Sequence, residues 1–419
     1  MVDFTQLLKS EIRPALGVTE VGAIALGAAR AYGAVGGTIL HVEVVMNGGM
    51  FKNGFSCGIP GTKELGCEMA AALGAIGGKW ELGLECLKGI TEEHIEKAKA
   101  LPVEILIAKE KENIYIQAEV TTTRGMGIAR IEDIHDHFTY VAKDDQVILR
   151  EEQKAKTKTK ELVDFDSITI ADMVDYASSV SIDELYFVKD MIAMNCKLSQ
   201  EGATGAGLAI GTTLDAFRKK GVLGNDMIYE AQRLTCSAMD ARLAGLPFPA
   251  MSIVGSGSHG IICSLPVVSY GGSVEASEDD VIRAVALSGL VTIYSKHYIG
   301  RLSSLCGCVL GGGSGAAAGL VYLMGGGAEE VSHAMNHMAA NLTGMICDGG
   351  STGCALKASA GVYSAFLSAM LAMNGTTIPK NFGVVGSSAE QTVKNLGRIS
   401  GEGMSPMDKT MIDIMQQKR

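Results

Sequence analysis

VEILIAKEKENIYIQAEVTTTRGMGIARIEDIHDHFTYVAKDDQVILREE (Val103–Glu152) decides the fold class. Apolar and polar residues alternate through most of it, the period of a strand with one face on a core. A turn signal at Glu112–Asn113 interrupts the pattern, and the stretch reads as an antiparallel meander. Upstream, GTILHVEVVMN (37–47) reads as another strand. Residues 1–13 read as an amphipathic helix with Phe4, Leu7, Leu8 and Ile12 on one face, ended by Pro14. In VTEVGAIALGAARAYG (18–33), Thr19 suits an N-cap and Glu20 the first turn. GGMFKNGFSCGIPGTKELG (48–66) reads as a loop, and CEMAAALGAIGG (67–78) and WELGLECLKGI (80–90) read as helical.

Downstream, a charge run without aromatics spans 143–162 and marks a boundary. Everything beyond it reads as helical. SITIADMVDYASSV (167–180) opens with a capping region, and SIDELYFVKDMIAMNCKLSQEG (181–202) ends in a glycine stop. AEEVSHAMNHMAANLTGM (328–345) sets Val331, Met335, Met338 and Leu342 on one face. The expectation is an α+β protein: a mixed α/β domain over 1–150, a charged linker over 143–162, and an all-α domain over 163–419.

The totals narrow the function. The 419 residues exceed one ordinary core, which favours two domains. Charged residues at 20% and hydrophobic ones at 47% describe a globular chain. The net charge of −10, with no basic cluster among stacking aromatics, argues against a nucleic-acid binder. The N-terminus lacks the apolar core and cleavage site of a signal peptide. The apolar runs near 315–325 and 358–373 are short or broken by glycine, so no membrane span is expected. A cytoplasmic protein is expected, and its ten cysteines are then buried, reactive or metal-bound. Glycine reaches 53 residues, a density that suits closely packed helices and backbone near a ligand. The apolar small-residue helices point to a homodimer, though no single feature fixes one.

Six cysteines (Cys57, Cys67, Cys86, Cys196, Cys236 and Cys263) are scattered singly and read as small core hydrophobes. Cys306, Cys308, Cys347 and Cys354 lie instead in two glycine-rich turns joined by a helical hairpin. Thiolates suit zinc or iron–sulfur, but the spacings C-x-C and C-x₆-C are not the tight pairs of a structural zinc site. From spacing alone, an iron–sulfur site, zinc and packing all stay open. IVGSGSHGI (253–261) offers backbone amides, Ser256, Ser258 and His259. The 47–62 segment offers Lys52, Asn53 and Thr62. Such loops can cradle a small anion, though each alone is more often a turn. His333 and His337 lack the glutamate of a zinc hydrolase and read as solvated. His135 and His137 read as the surface of a strand edge.

Taken together, PALGVTE, MFKNGFSCGIPGT, NCKLSQEG, DARLAG, GSGSHGI, RLSSLCG and GMICDGGSTGCALK resemble the L-cysteine desulfidase family. That family's C-terminal half is similar to the α domain of iron–sulfur L-serine dehydratase. The resemblance runs from about residue 10 to the C-terminus, with the motifs in the family's order. It implies a [4Fe–4S] cluster held by Cys306, Cys347 and Cys354, with Cys308 as packing where relatives carry a small residue. It also implies that the N-terminal domain closes over the cluster and that the loops with Lys52, Asn53, Ser256 and Ser258 hold a small amino acid.

The implied chemistry is β-elimination, by default of L-cysteine to sulfide, ammonia and pyruvate. A dehydratase acting on serine or another β-hydroxy acid is the alternative. Two departures stand out. The family carries a cysteine, assigned as the base, where this chain has Val18, and a proline where it has Val21. Valine can neither take a proton nor bind iron. Glu20, Thr19, His259 and Lys52 remain as groups that could act in its place, and a non-catalytic cluster- or ligand-binding relative stays open. Ser258 stands where the family usually has asparagine, which bears on substrate choice.

Overall fold

The structure, a computed structural model, describes residues 2–111, 113–151, 163–380 and 382–418. Its strands are β1 (Ile12–Leu16), β2 (Ile39–Asn47), β3 (Val103–Ala108), β4 (Tyr115–Thr122), β5 (Gly125–Glu132), β6 (Phe138–Lys143), β7 (Gln146–Arg150) and β8 (Pro249–Ile253). The larger sheet has the order β3-β2-β4-β5-β6-β7. The protein is therefore α+β, with a mixed N-terminal part and a helical C-terminal part. Glu112 and the end of the charge run, 152–162, lie outside the described residues.

The meander needs one correction. β4 to β7 pair antiparallel in sequence order, but β3 does not pair with β4. It pairs parallel with β2, which sits between β3 and β4. A parallel pair needs a crossover, and the chain from 48 to 102, with its helices Gly66–Gly77 and Glu92–Lys99, supplies it. In β2, Val42, Val44 and Met46 point into the core. The Thr19–Val35 helix lies on the same sheet. It presses so closely that a Cβ at Gly127 of β5 would stand 2.0 Å from the Ala31 carbonyl oxygen. Only glycine admits that contact.

The N-terminal segment also differs from expectation. Its helix spans Phe4–Glu11, and the chain then enters β1 rather than a simple stop. β1 pairs antiparallel with β8, opposing Pro14 to Met251. Proline is tolerated in a two-stranded ribbon because every strand there is an edge. β8 is thus a strand where only helices were expected. Phe4 and Leu8 pack among Ile170, Met173 and Leu290 of the helical part. The segment called a loop over 48–66 contains a short helix, Gly48–Gly54.

The helical core is built from Gly257–Ser273, Glu278–Ile299, Gly313–Leu323 and Cys354–Met373. Small residues let these axes approach, as the glycine content suggested. Cys354–Met373 is long and apolar enough to cross a membrane by length and composition, and half of it is buried. It packs against Met227–Leu243, Gly313–Leu323 and Ala328–Leu342. His337 in the last of these is buried against the Ser368 carbonyl at 3.3 Å, not solvated.

Candidate active site

The two cysteine turns lie side by side. Leu305 and Ile346 form an antiparallel bridge. The Cys306 amide donates to the Met345 carbonyl at 2.9 Å, and the Cys347 amide to the Ser304 carbonyl at 2.8 Å. Cys354 opens its helix at the end of the second turn, with its thiol 3.4 Å from the Gly349 carbonyl. Cys347 feels the charge of Cys306, and Cys354 feels that of both. A thiol–thiol hydrogen bond from Cys308 holds Cys306 below the usual thiol range, and the same bond pushes Cys308 up. Cys308 starts a π-helical turn and sits with the other three rather than apart.

Cations ring this wall. Burial lowers Lys296 to about 8, against the pull of Cys308, Cys347 and Cys306, and its Nζ donates to Ser303 Oγ at 3.1 Å. Lys357 pairs with Asp348 and donates to the Ile346 carbonyl at 3.1 Å. Lys52 pairs with Asp408 at 2.8 Å and reaches the Ser303 carbonyl at 3.3 Å. Among the described residues, no three His, Cys, Asp or Glu side chains converge closely enough for a single metal ion. A cluster differs, because each thiolate binds a different iron and the ligands stand apart. Three separated thiols, beside the buried ammonium groups of Lys52 and Lys296 and the partly buried one of Lys357, fit that donor set.

The N-terminal part brings an acid to this wall. Val18, not Thr19, is the N-cap of the Thr19–Val35 helix. Thr19 Oγ1 instead donates to the Gly255 carbonyl at 2.8 Å and lies 3.1 Å from Glu20. Glu20 is 8% exposed. Burial pushes its carboxyl up, but His135 and a 2.8 Å hydrogen bond from Asn53 Nδ2 outweigh this and keep it below the usual range. The same Asn53 side chain accepts from the Cys347 thiol at 3.8 Å. One amide therefore joins the acid to the cysteine wall.

The backbone of Asn53 completes the junction. Its carbonyl accepts from the Gly350 amide at 3.2 Å and from the Cys57 thiol at 2.8 Å. A Cβ on Gly350 would fall 2.3 Å from the Cys57 sulfur and 2.7 Å from the Asn53 oxygen, with Val18 at 3.6 Å. Gly350→Ala must shift backbone, and a loss of about 1–3 kcal/mol is expected. Urea unfolding of Gly350→Ala checks this; an unchanged midpoint would show the junction to be loose.

His259 approaches from the third side. β8 ends in a tight turn in which Val254 (φ 51°) and Gly255 (φ 70°) are both left-handed. Ile253 and Ser256 exchange backbone hydrogen bonds across it at 3.1 Å. A β-branched residue there is strained, and such strain clusters at functional sites. The Gly257–Ser273 helix follows and buries Ser258 and His259. Burial, then the charge of Lys296, hold the His259 imidazole well below its ordinary value, so it is neutral. Its Nε2 faces Gly307, where a Cβ would lie 2.9 Å away.

Two residues that the sequence left aside belong here. His137 is on the surface, paired with Glu151 at 3.1 Å, as expected for a strand edge. His135 is not: it is 5% exposed, with Nε2 3.9 Å from Glu20. Arg242, inside the DARLAG motif, is buried beside Ser258 and donates to its Oγ at 2.8 Å. The signal for Arg242 was there: a charge amid the buried run Thr235–Leu243.

The fold is α+β, and where its N-terminal α/β part meets its helical part four cysteines and the buried acid Glu20 are joined through Asn53. The family described as serine dehydratase alpha chain matches residues 81–413, and the chain belongs to that family. It is a relative of a hydro-lyase. It is also similar to a UPF0597 protein of Clostridium botulinum, 41% identical over 98% of this chain and 97% of the other. UPF0597 proteins of Caldanaerobacter subterraneus (39% identical, over 99% and 98%) and Clostridioides difficile (38%, over 98% and 98%) match alike.

Proposed function

We propose that this chain is an iron–sulfur-dependent lyase that performs β-elimination on a small amino acid, by default L-cysteine. The observation that carries the reading is Asn53, whose side chain joins Glu20 to Cys347. Cys306, Cys347 and Cys354 would hold a [4Fe–4S] cluster, with Lys52, Lys296 and Lys357 offsetting its charge. Bound there, the cluster supplies a Lewis-acidic iron without a protein ligand.

The other roles fall to the chain itself. His259 Nδ1 lies 3.3 Å from the Ile253 carbonyl. A carbonyl only accepts, so Nδ1 carries the proton and Nε2 keeps its lone pair. Nε2 takes the Cα proton of the substrate. The C–H electron pair becomes the Cα–Cβ double bond, and hydrosulfide leaves with the C–S pair. The resulting aminoacrylate tautomerises to an imine and takes up one water, giving pyruvate and ammonia. Thr19 locks Glu20 to the Gly255 turn, which Ser256 closes. Lys52 acts through Ser303, holding the segment that leads to Cys306.

The family match favours a second reading, dehydration of serine or another β-hydroxy acid in the same site. Val18 supports a third, a cluster-bearing relative without catalysis. Anaerobic purification with iron and sulfide analysis should give about four irons per chain. Sulfide, ammonia and keto acid are then measured with L-cysteine, L-serine and L-threonine. A folded, iron-free protein overturns the cluster, and a loaded protein yielding no keto acid overturns the lyase. His259→Asn should lower keto-acid formation by about a hundred-fold or more at unchanged iron content. Sulfide release appearing only after Val18→Cys would return the base to position 18.

A further inference from the structure

Among the described residues, one buried cation beside this site has no counterion against it. Arg242 is 3% exposed, yet its Nε has no hydrogen-bond partner. Its contact among the described residues is with a neutral hydroxyl, Ser258 Oγ at 2.8 Å. A guanidinium stays charged in a protein, and burying it with an unmet donor is unfavourable unless an anion arrives. The Nε–H lies at the start of the Gly257–Ser273 helix, and a Cβ on Gly257 would stand 2.4 Å from it. The first-turn amides of a helix favour an anion at the same place.

A matching negative group stands at the other end of the turn. Gly255 is held by Thr19, and its Cβ position lies 3.3 Å from the His135 ring. His135 Nε2 is also buried without a hydrogen-bond partner, 3.9 Å from Glu20. Glu20 and Arg242 form no ion pair with each other, although the charge of Arg242 reaches Glu20, His135 and His259. An α-amino acid carries the complementary pair, carboxylate and ammonium, on a single carbon.

We propose that Arg242 and Glu20 form a zwitterion clamp across the domain seam: the guanidinium takes the substrate's α-carboxylate and Glu20 takes its α-ammonium. The clamp rests on reading the site as one for a small amino acid, and it defines the substrate class as free α-amino acids. It leaves the β substituent as the part turned toward the cysteine wall, one Asn53 side chain away. It also gives Glu20 a use that suits a carboxylate held in its ionised form.

The test is anaerobic calorimetric titration of the cluster-loaded full chain with three ligands. L-alanine has both charges and no leaving group, 3-mercaptopropionate lacks the ammonium, and cysteamine lacks the carboxylate. Arg242→Gln should weaken L-alanine and 3-mercaptopropionate at least about ten-fold and leave cysteamine nearly unchanged. Glu20→Gln should weaken L-alanine and cysteamine and spare 3-mercaptopropionate. Should Arg242→Gln not fold, Arg242→Lys, which keeps the charge, should retain more 3-mercaptopropionate binding than Glu20→Gln retains of cysteamine. Equal losses for all ligands, or none, overturn the clamp. Keto-acid formation that continues while binding ignores both variants refutes the clamp and leaves the lyase. The selective binding pattern without any keto acid from L-cysteine does the reverse.

Discussion

Cys347→Ser should strip the anaerobically purified protein of nearly all its iron, whereas Cys306→Ser should leave a measurable fraction. A thiolate is the ligand that iron–sulfur clusters require, and a serine hydroxyl stays protonated near neutrality. At position 347 the thiol has Asn53 as its hydrogen-bond partner at 3.8 Å, and an amide oxygen cannot replace it. Position 306 differs, because the Cys308 thiol is already in hydrogen-bond contact with the Cys306 sulfur. A thiol that close can take over the vacated iron with a small shift of the π-helical turn that begins at Cys308. Iron and sulfide analysis, with visible absorption of the cluster, reads the difference. The Cys306→Ser/Cys308→Ser double variant should match Cys347→Ser. Equal loss in both single variants would show that Cys308 has no access to the iron and is packing alone.

How much of this was legible depended on range. The alternation within β4 and β5 reports local pleating, so those strands and their antiparallel order could be read directly. β3 alternates in the same way, and nothing in its own residues says that its partner is β2, reached by a crossover. The β1–β8 ribbon joins residues more than two hundred positions apart and contains Pro14, so local propensity opposes it. At the site, the cysteines stood out because glycine turns flank them. His135 did not. Its neighbours Ile134 and Asp136 are exposed, and the distant Gly255 turn lies against its ring. Thr19 looked like a cap because a hydroxyl before an apolar run usually is one. Here tertiary structure gives the hydroxyl a better acceptor, the Gly255 carbonyl, and leaves the cap to Val18.

The Lys52–Asp408 pair makes the second large prediction, and its two halves are unequal. Lys52 is 1% exposed on the Gly48–Gly54 helix, while Asp408, on the C-terminal Ser405–Gln416 helix, is 31% exposed. Asp408→Asn removes the ion-pair partner of a buried ammonium and leaves it, among the described residues, the hydrogen bond to the Ser303 carbonyl at 3.3 Å and a neutral amide. Removing one partner of a buried pair commonly costs about 3–5 kcal/mol; water at the Asp408 end brings the expectation here to about 2–3 kcal/mol. Lys52→Met leaves a carboxylate that water can reach and fills the buried space with an apolar chain of similar length. About 1 kcal/mol is expected for it. The double variant should be more stable than Asp408→Asn alone, because the stranded charge is gone. Urea unfolding of the three variants measures all of these differences. Should Lys52→Met prove as damaging as Asp408→Asn, the dominant contact of Lys52 is its hydrogen bond to Ser303. The lysine would then act chiefly by holding the segment that leads into Cys306.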